Sequence, residues 1–339
     1  MTVNKVWYLR KRPVGDLAES DLELVNEDMA PLDDGKVRVR TIYLSIDPTN
    51  RVWMSDADGY LPPVEIGTPM RGSLIGVVEE SRSDSVSVGT IVNTGLCGWA
   101  LYNDLLATDV SALPTLPGVP LTAFMGPLGA TGMTAYFGLT EIGQPKAGDT
   151  LVVSAAAGAV GSMVGQIGKI HGCRIVGIAG SDEKCRWLKD IAGFDAAINY
   201  KKENVGAALD KHCPNGIDIN FESVGGEIME QVIARLNDFS RMPLCGLISV
   251  YNAKGLVNTG PRNFATLLMR RTRVQGFIVL DYIERFAEAA PKMAQWLLEG
   301  KIKFETDIVQ GLENAPQSLE RLFAGANLGK LVVQVSPEP

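Results

Sequence analysis

Between Ser154 and Gln166 the sequence reads SAAAGAVGSMVGQ, placing Gly158 and Gly161 just after the apolar run Leu151-Val152-Val153. Such spacing can serve a phosphate, because glycine lets the backbone come close, amides point outward and a helix N-terminus lies behind them. It can equally serve no ligand, since small residues also let a helix pack tightly on a strand. Ala155 stands where the usual first glycine would be, so A-x-x-G-x-x-G alone leaves both readings open. Other chemistry is scarce. The two histidines, His171 and His212, and the five scattered cysteines, Cys97, Cys173, Cys185, Cys213 and Cys245, include no C-x-x-C pair. A zinc site, catalytic or structural, needs a denser ligand set than this, so no metal is expected. There is no G-x-S-x-G elbow and neither histidine has an evident nucleophile, which leaves triad hydrolysis without support.

The elements around the glycines sharpen the choice. Residues 1–124 hold short β-type runs such as Val6–Leu9, Lys36–Ile46, Ser73–Glu80 and Thr90–Thr94, the texture of a small β barrel. From 125 to 300 strands alternate with helical patterns, the strands falling at Thr150–Ser154, Arg174–Ile178, Ala197–Tyr200, Ile217–Glu222 and Met242–Ser249. That alternation predicts a parallel, doubly wound α/β sheet. Residues 301–339, with a strand over Lys303–Val309, a helix around Ser318–Phe323 and a strand over Leu331–Val335, return to the first texture. The α/β domain is therefore expected to be inserted into a β-rich one. The glycines now sit between a strand and a helix that stops at Gly172, with Cys173–Ile178 as the next strand. This βαβ setting tips the balance toward a dinucleotide cradle, and the chemistry left is hydride transfer by a bound cofactor.

An NAD site would place a carboxylate at the end of the second strand to hold the ribose 2′-hydroxyl. Here that strand closes on Ala179 and Gly180, and Ser181-Asp182-Glu183-Lys184 follows. Lys184 can reach a 2′-phosphate, although a solvated helix residue is the commoner fate of a lysine. Ser181 and the two acids also suit a helix N-cap and first turn. The reading favours NADP(H).

Composition bounds the rest. At 339 residues, 46% hydrophobic and 21% charged, the chain has the size and balance of a well-packed globular protein of two domains. A net charge of −7 argues against nucleic acid or an anionic membrane as the main partner. An odd number of dispersed cysteines suits a reducing, cytoplasmic compartment. MTVNKVWYLRKRP has no apolar signal-peptide core, and the longest apolar stretch is too short and too rich in Gly and Ser to span a membrane.

The runs EIGQPKAG, AAAGAVGS, GSDEKC, GFDAAINYKKENV, ESVGGE, CGLISVYN, GLENAPQ and ANLGK, in this order along nearly the whole chain, resemble the zinc-independent medium-chain dehydrogenase/reductases. The likeness is to the branch of leukotriene hydroxydehydrogenase, prostaglandin reductases and curcumin reductase. It implies a GroES-like catalytic domain completed by the C-terminus, a Rossmann domain, and a homodimer. It also implies NADPH-dependent reduction of the C=C bond of α,β-unsaturated ketones or aldehydes. By motif, Gly158, Ala159, Val160 and Gly161 match the pyrophosphate turn, and Ser181, Lys184 and Tyr200 the adenosine-phosphate side. Cys245, Gly246, Leu247, Ile248, Ser249, Val250 and Tyr251 match the segment under the nicotinamide half. Phe277, Ile278 and Val279 match the strand beside it, and Asn327 matches a cofactor-contacting asparagine; without the resemblance, Phe277 to Val279 read as a plain core strand.

Two departures stand out. Ser223 replaces the asparagine usual before VGG, and D-P-Y-M-R reads Asp47-Pro48-Thr49-Asn50-Arg51, which removes an aromatic ring expected near substrate. Tyr60 is a further pocket candidate, whereas Trp53, Trp99 and Trp296 read as packing residues. Tyr251 is the candidate catalytic donor, because it follows a strand whose C-terminal end belongs to the ligand edge and a phenol can donate without carrying charge. A tyrosine bonding locally or to ribose is the alternative. Two other functions stay open: a zinc-free quinone reductase, and an NADPH-binding protein without turnover.

Overall fold

The computed structural model describes residues 3–56, 59–254 and 260–339. Packing divides the chain into two units, Met1–Phe124 with Thr306–Asn327 and Leu331–Pro339, and Met125–Glu305 with Leu328–Lys330. The first unit opens with β1 (Val3–Leu9) antiparallel to β2 (Leu22–Asp28). The long β3 (Lys36–Ser45) leads into α1 (Pro48–Trp53). Then come β4 (Arg71–Gly72), β5 (Leu74–Ser81), β6 (Ile91–Thr94), β7 (Cys97–Gly98), β8 (Tyr102–Leu106) and β9 (Val110–Ala112). Val37 and Val39 alternate with half-exposed basic residues along β3, so its first half buries one face only.

The second unit begins with α2 (Ala130–Phe137), which widens into a π-helical turn over Gly138–Gly143. Strands and helices then alternate: β10 (Thr150–Val153), α3 (Ala159–Ile170), β11 (Arg174–Ala179), α4 (Asp182–Asp190), β12 (Ala196–Asn199) and α5 (Val205–His212). The second half follows with β13 (Ile217–Phe221), α6 (Gly226–Ile233), β14 (Leu236–Leu244), α7 (Phe264–Met269), β15 (Arg273–Gly276) and α8 (Phe286–Leu298). The strands form one parallel sheet in the order β12-β11-β10-β13-β14-β15, so the winding reverses between β10 and β13. Successive strand residues feed opposite faces. Leu151 and Val153 join one apolar cluster with Ile175, Ile219 and Phe221, while Val152 joins another with Val176, Ile178 and Ile198.

The chain returns to the first unit as β16 (Thr306–Gln310), α9 (Ala315–Phe323) and β17 (Lys330–Gln334). The larger sheet there runs β16-β17-β3-β5-β6-β9, with β8 also on β3. Leu312, Leu319, Leu331 and Val333 fill the same cluster as Leu9, Leu44, Trp53 and Trp99, so the C-terminal elements complete that core.

Three strand assignments read from sequence need correction. Met242–Ser249 is not one strand: β14 starts at Leu236 and stops at Leu244. The Cys245 amide makes the last parallel ladder bond, to the Glu222 carbonyl at 2.8 Å, and the Gly246 amide turns back to the same carbonyl at 3.3 Å instead of continuing the ladder. Phe277, Ile278 and Val279 lie beyond β15, which ends at Gly276. Lys303 and Phe304 precede β16 and pack in the second unit. There Lys303 exchanges two bonds with the Gln166 amide, accepting at 2.8 Å and donating at 2.6 Å, which draws the backbone away from the strand.

Candidate functional site

In a doubly wound sheet the ligand edge is at the C-terminal ends of the strands, beside the point where the winding reverses. Beyond β10 the chain turns through Ala155, whose φ of +47° is left-handed, a conformation costing an alanine roughly 1–2 kcal/mol. Gly158 then caps α3 in extended conformation with no side-chain cap. The first-turn amides of Ala159, Val160 and Gly161 therefore have no acceptor within their helix. A Cβ on Gly161 would lie 2.5 Å from the Ala155 oxygen and 2.9 Å from the Ala156 Cα. Only glycine lets the helix start this close to the strand. The Gly329 amide clamps the turn from the other side, donating to the Ala157 carbonyl at 2.9 Å. The result is a half-buried backbone cradle with outward amides, which fits a pyrophosphate.

Past β11, Ala179 is buried and Gly180 lies against Tyr200: a Cβ there would stand 3.1 Å from that ring. The Ser181 hydroxyl accepts the Lys184 amide at 3.2 Å and so caps α4. Asp182, the first carboxylate after the strand, is drawn off by the Asn199 amide at 2.6 Å and the Lys202 ammonium at 2.5 Å. Those bonds, Lys202 first, hold its carboxyl below the usual carboxylate range. Lys184 is half-buried in the first turn of α4, and the Tyr200 ring is 40% exposed with the Lys201 ammonium over it.

Past β13 and β14 two segments are laced together. Gly225 and Gly226 take φ of +78° and +58°, turning the chain sharply after Ser223. The Ile248 amide donates to the Ser223 carbonyl at 3.1 Å and the Ser249 amide to the Val224 carbonyl at 3.0 Å. The Leu247 amide donates to the Tyr251 hydroxyl at 3.1 Å. The phenol is thus a local hydrogen-bond partner whose oxygen accepts from the main chain. Val250 closes the 3-10 turn before Tyr251. Burial pushes the Cys245 thiol up to about 12, against the lowering effect of its bond with Ser223.

Phe277 is a core side chain, edge-on to Phe221 at 6.2 Å and pressed on Gly138, while Ile278 and Val279 are half-buried. In the first unit Asn327 is buried and Tyr60 is 44% exposed, its hydroxyl bonded to that of Thr49. Thr49 is the position where the ring of D-P-Y-M-R is missing. Arg51 has a structural task, donating to the Pro13 and Gly15 carbonyls, each at 3.0 Å. Trp99 is fully buried and Trp53 nearly so, and Trp296 packs against the second unit's core.

Sequence reading missed Glu222. It closes the apolar strand β13 with a carboxylate that is wholly buried and accepts four hydrogen bonds. The available signal was a Glu directly after IDINF, where a buried parallel strand ordinarily ends on an apolar or small residue. Among the described residues no three His, Cys, Asp or Glu side chains come together as a metal would require. No helix among them is long and apolar enough to cross a membrane.

Two family models match the chain: the N-terminal domain of oxidoreductase over residues 5–113, and zinc-binding dehydrogenase over residues 159–295. NADPH-dependent curcumin reductase of Escherichia coli is 44% identical over 337 residues, covering 98% of this chain and 97% of that protein. The NADP(+)-dependent 2-alkenal reductase of Nicotiana tabacum is 39% identical, covering 99% and 98%. The crystal structure of CurA from Vibrio vulnificus in complex with NADPH superimposes with a TM-score of 0.92 at 45% identity, covering 98% and 100%.

Proposed function

We propose, for a chain that belongs to the zinc-independent medium-chain dehydrogenase/reductases, NADPH-dependent reduction of the C=C bond of α,β-unsaturated ketones or aldehydes. The observation that carries the reading is the strand-end edge of the second unit. A backbone cradle only glycine permits at Gly161 adjoins a second strand that ends without a free carboxylate. Relatives aligned over nearly their whole length that reduce alkenals and curcumin with NADPH support the same chemistry.

NADPH, when bound, supplies the hydride that reaches the β-carbon. The chain's own work is to hold and to polarise. The amides of Ala159, Val160 and Gly161 meet the pyrophosphate, and Ser181, Lys184 and Tyr200 face the 2′-phosphate. Asp182 stays engaged with Asn199 and Lys202 and so does not compete there. Ser223, the Cys245–Tyr251 segment and the backbone of Phe277–Val279 border the nicotinamide half; Asn327 and Tyr60, in the first unit, are assigned to cofactor and substrate by the family resemblance alone. As hydride reaches the β-carbon, negative charge grows on the carbonyl oxygen. The Tyr251 hydroxyl, polarised by the Leu247 amide, donates to that oxygen, a contact worth about 2.7–4 kcal/mol where such donors have been removed.

The assembly we propose is a homodimer in a reducing, cytoplasmic setting. The edge strand β15 is exposed along its whole length, and Leu268 and Met269 before it stand 77% and 70% exposed. Apolar side chains beside an open strand edge suit pairing with a second copy. All five cysteines are unpaired, as a reducing compartment favours.

Following NADPH consumption across a panel of enones, enals and quinones tests the reading. Turnover with enones or enals and formation of the saturated carbonyl is the expected result. Turnover confined to quinones would reassign the chain as a quinone reductase. Tight NADPH binding with no turnover on any member would make it a binding protein.

A further inference from the structure

We propose that Glu222 is a positioning residue for the reductase reaction: one buried carboxylate that fixes the loops after β10, β13 and β14 against one another and thereby sets Tyr251. This rests on the cofactor reading above. Glu222, Ser154 and Asn220 are each 0% exposed. One carboxylate oxygen accepts the Ser154 hydroxyl at 2.9 Å and the amides of Val224 and Gly225 at 2.7 and 2.9 Å. The other oxygen accepts the Asn220 side-chain amide at 3.0 Å. Ser154 closes the circle, since its oxygen accepts the Ser223 amide at 2.8 Å.

A carboxylate is costly to bury unless its oxygens are hydrogen-bonded, and four donors on two oxygens are what offset that cost. The arrangement is more than local satisfaction. Ser154 is the first residue beyond β10 and so begins the phosphate turn. Ser223–Gly225 is the loop beyond β13, and the Glu222 main-chain carbonyl takes the Cys245 and Gly246 amides beyond β14. The loop held by the carboxylate then holds its neighbour: the Ser223 and Val224 carbonyls take the Ile248 and Ser249 amides, three and two residues before Tyr251. A Cβ on Gly225 would lie 2.9 Å from the Leu247 side chain, so the two loops pack closely at this glycine. The phosphate turn and the tyrosine are therefore registered through one side chain.

Asn220, the fourth donor, shows what a replacement must supply. The Asn220 side-chain oxygen is buried with no hydrogen-bond partner. In Glu222→Gln the carbonyl oxygen can keep Ser154, Val224 and Gly225, and a flipped Asn220 can accept the new amide. Glu222→Ala can keep none of them.

The test measures NADPH affinity by fluorescence titration, kcat on an enone at saturating NADPH, and the melting temperature, for wild type, Glu222→Ala, Glu222→Gln and Ser154→Ala. We expect Glu222→Ala to weaken NADPH binding at least tenfold and to lower kcat at least tenfold at temperatures where it is folded. Glu222→Gln should recover to within threefold of wild type on both. Ser154→Ala, which cuts only the arm to the phosphate turn, should weaken NADPH binding three- to tenfold. A merely structural role predicts a lower melting temperature with affinity and kcat within twofold of wild type, and that result overturns the proposal. If Glu222→Ala does not fold, Ser154→Ala decides, with unchanged affinity counting against it. Failure of the wild type itself to bind NADPH would instead overturn the cofactor reading.

Discussion

Adding one methyl group to Gly161 separates the cradle's packing role from its ligand role. The Cβ of Gly161→Ala would arrive 2.5 Å from the Ala155 oxygen, 2.9 Å from the Ala156 Cα and 3.1 Å from the Ala155 carbonyl carbon. All three atoms are backbone, so no flexible side chain can yield. The N-terminus of α3 must move off the strand. Forced overpacking of this kind costs typically 1–3 kcal/mol, while the helix preference of Ala over Gly returns no more than about 1 kcal/mol. A net loss of about 1–2 kcal/mol lowers the melting temperature by roughly 2–8 °C for a unit of this size. The shift also carries the Ala159, Val160 and Gly161 amides with it, so NADPH affinity should drop about tenfold, or ~1.4 kcal/mol. Gly158→Ala is the contrast. Its Cβ meets only the Ala155 oxygen, at 3.2 Å, and its φ of −83° suits any residue. It should keep its melting temperature within about 2 °C, under 1 kcal/mol, yet lose NADPH affinity, because its methyl group faces the pyrophosphate. Thermal melts and fluorescence titrations of both variants supply the numbers. A stable Gly161→Ala with wild-type affinity would refute the steric argument, as would equal destabilisation by the two substitutions.

Further outcomes follow from the same edge. Tyr251→Phe should lower kcat and kcat/KM on enones together by about 10²-fold with NADPH affinity intact; lost affinity at unchanged kcat would make the phenol a cofactor contact only. NADPH should be preferred over NADH at least tenfold, about 1.4 kcal/mol. Lys184→Ala should erode that preference through KM for NADPH, and Lys202→Ala should erode it less, by loosening Asp182; full discrimination in both variants would sink the 2′-phosphate assignment. Burial pushes the Cys97 and Cys245 thiols up to about 12 in the folded protein, above the ordinary value near 9. Their share of stability is then constant below about pH 8 and shrinks as pH rises past 9, where the unfolded thiols ionise first. Alkylation at pH 8 should accordingly spare the buried Cys97 until denaturant is added, and labelling of Cys97 in the native protein at the unfolded rate would contradict its burial.

Much of this arrangement was legible in the sequence, for physical reasons. Buried parallel strands are short, apolar and bracketed by glycine, so β10, β11, β12 and β13 could be placed within a residue or two. Gly158 and Gly161 announced the turn, although only the positive φ of Ala155 shows how the chain manages without the first glycine. β14 was harder. Its first half, Leu236-Asn-Asp-Phe-Ser240, carries turn-type residues, and Phe239 bends it at φ +61°. Its presumed second half ends early, where the Cys245 and Gly246 amides share the single carbonyl of Glu222, which no local pattern encodes. The Glu222 network is tertiary in the same sense, joining residues 68 and 69 positions apart in the chain. Ser181 caps its helix, as its residue type allows, and its place beside the 2′-phosphate is part of the proposal.

The most direct measurement uses NADPH carrying deuterium at the transferable C4 position, with a simple enone as substrate and the product examined by NMR. The account predicts a saturated ketone with one deuterium on the carbon β to an intact carbonyl. Deuterium on the carbinol carbon of an allylic alcohol, or none in any product while NADPH is consumed, would contradict it.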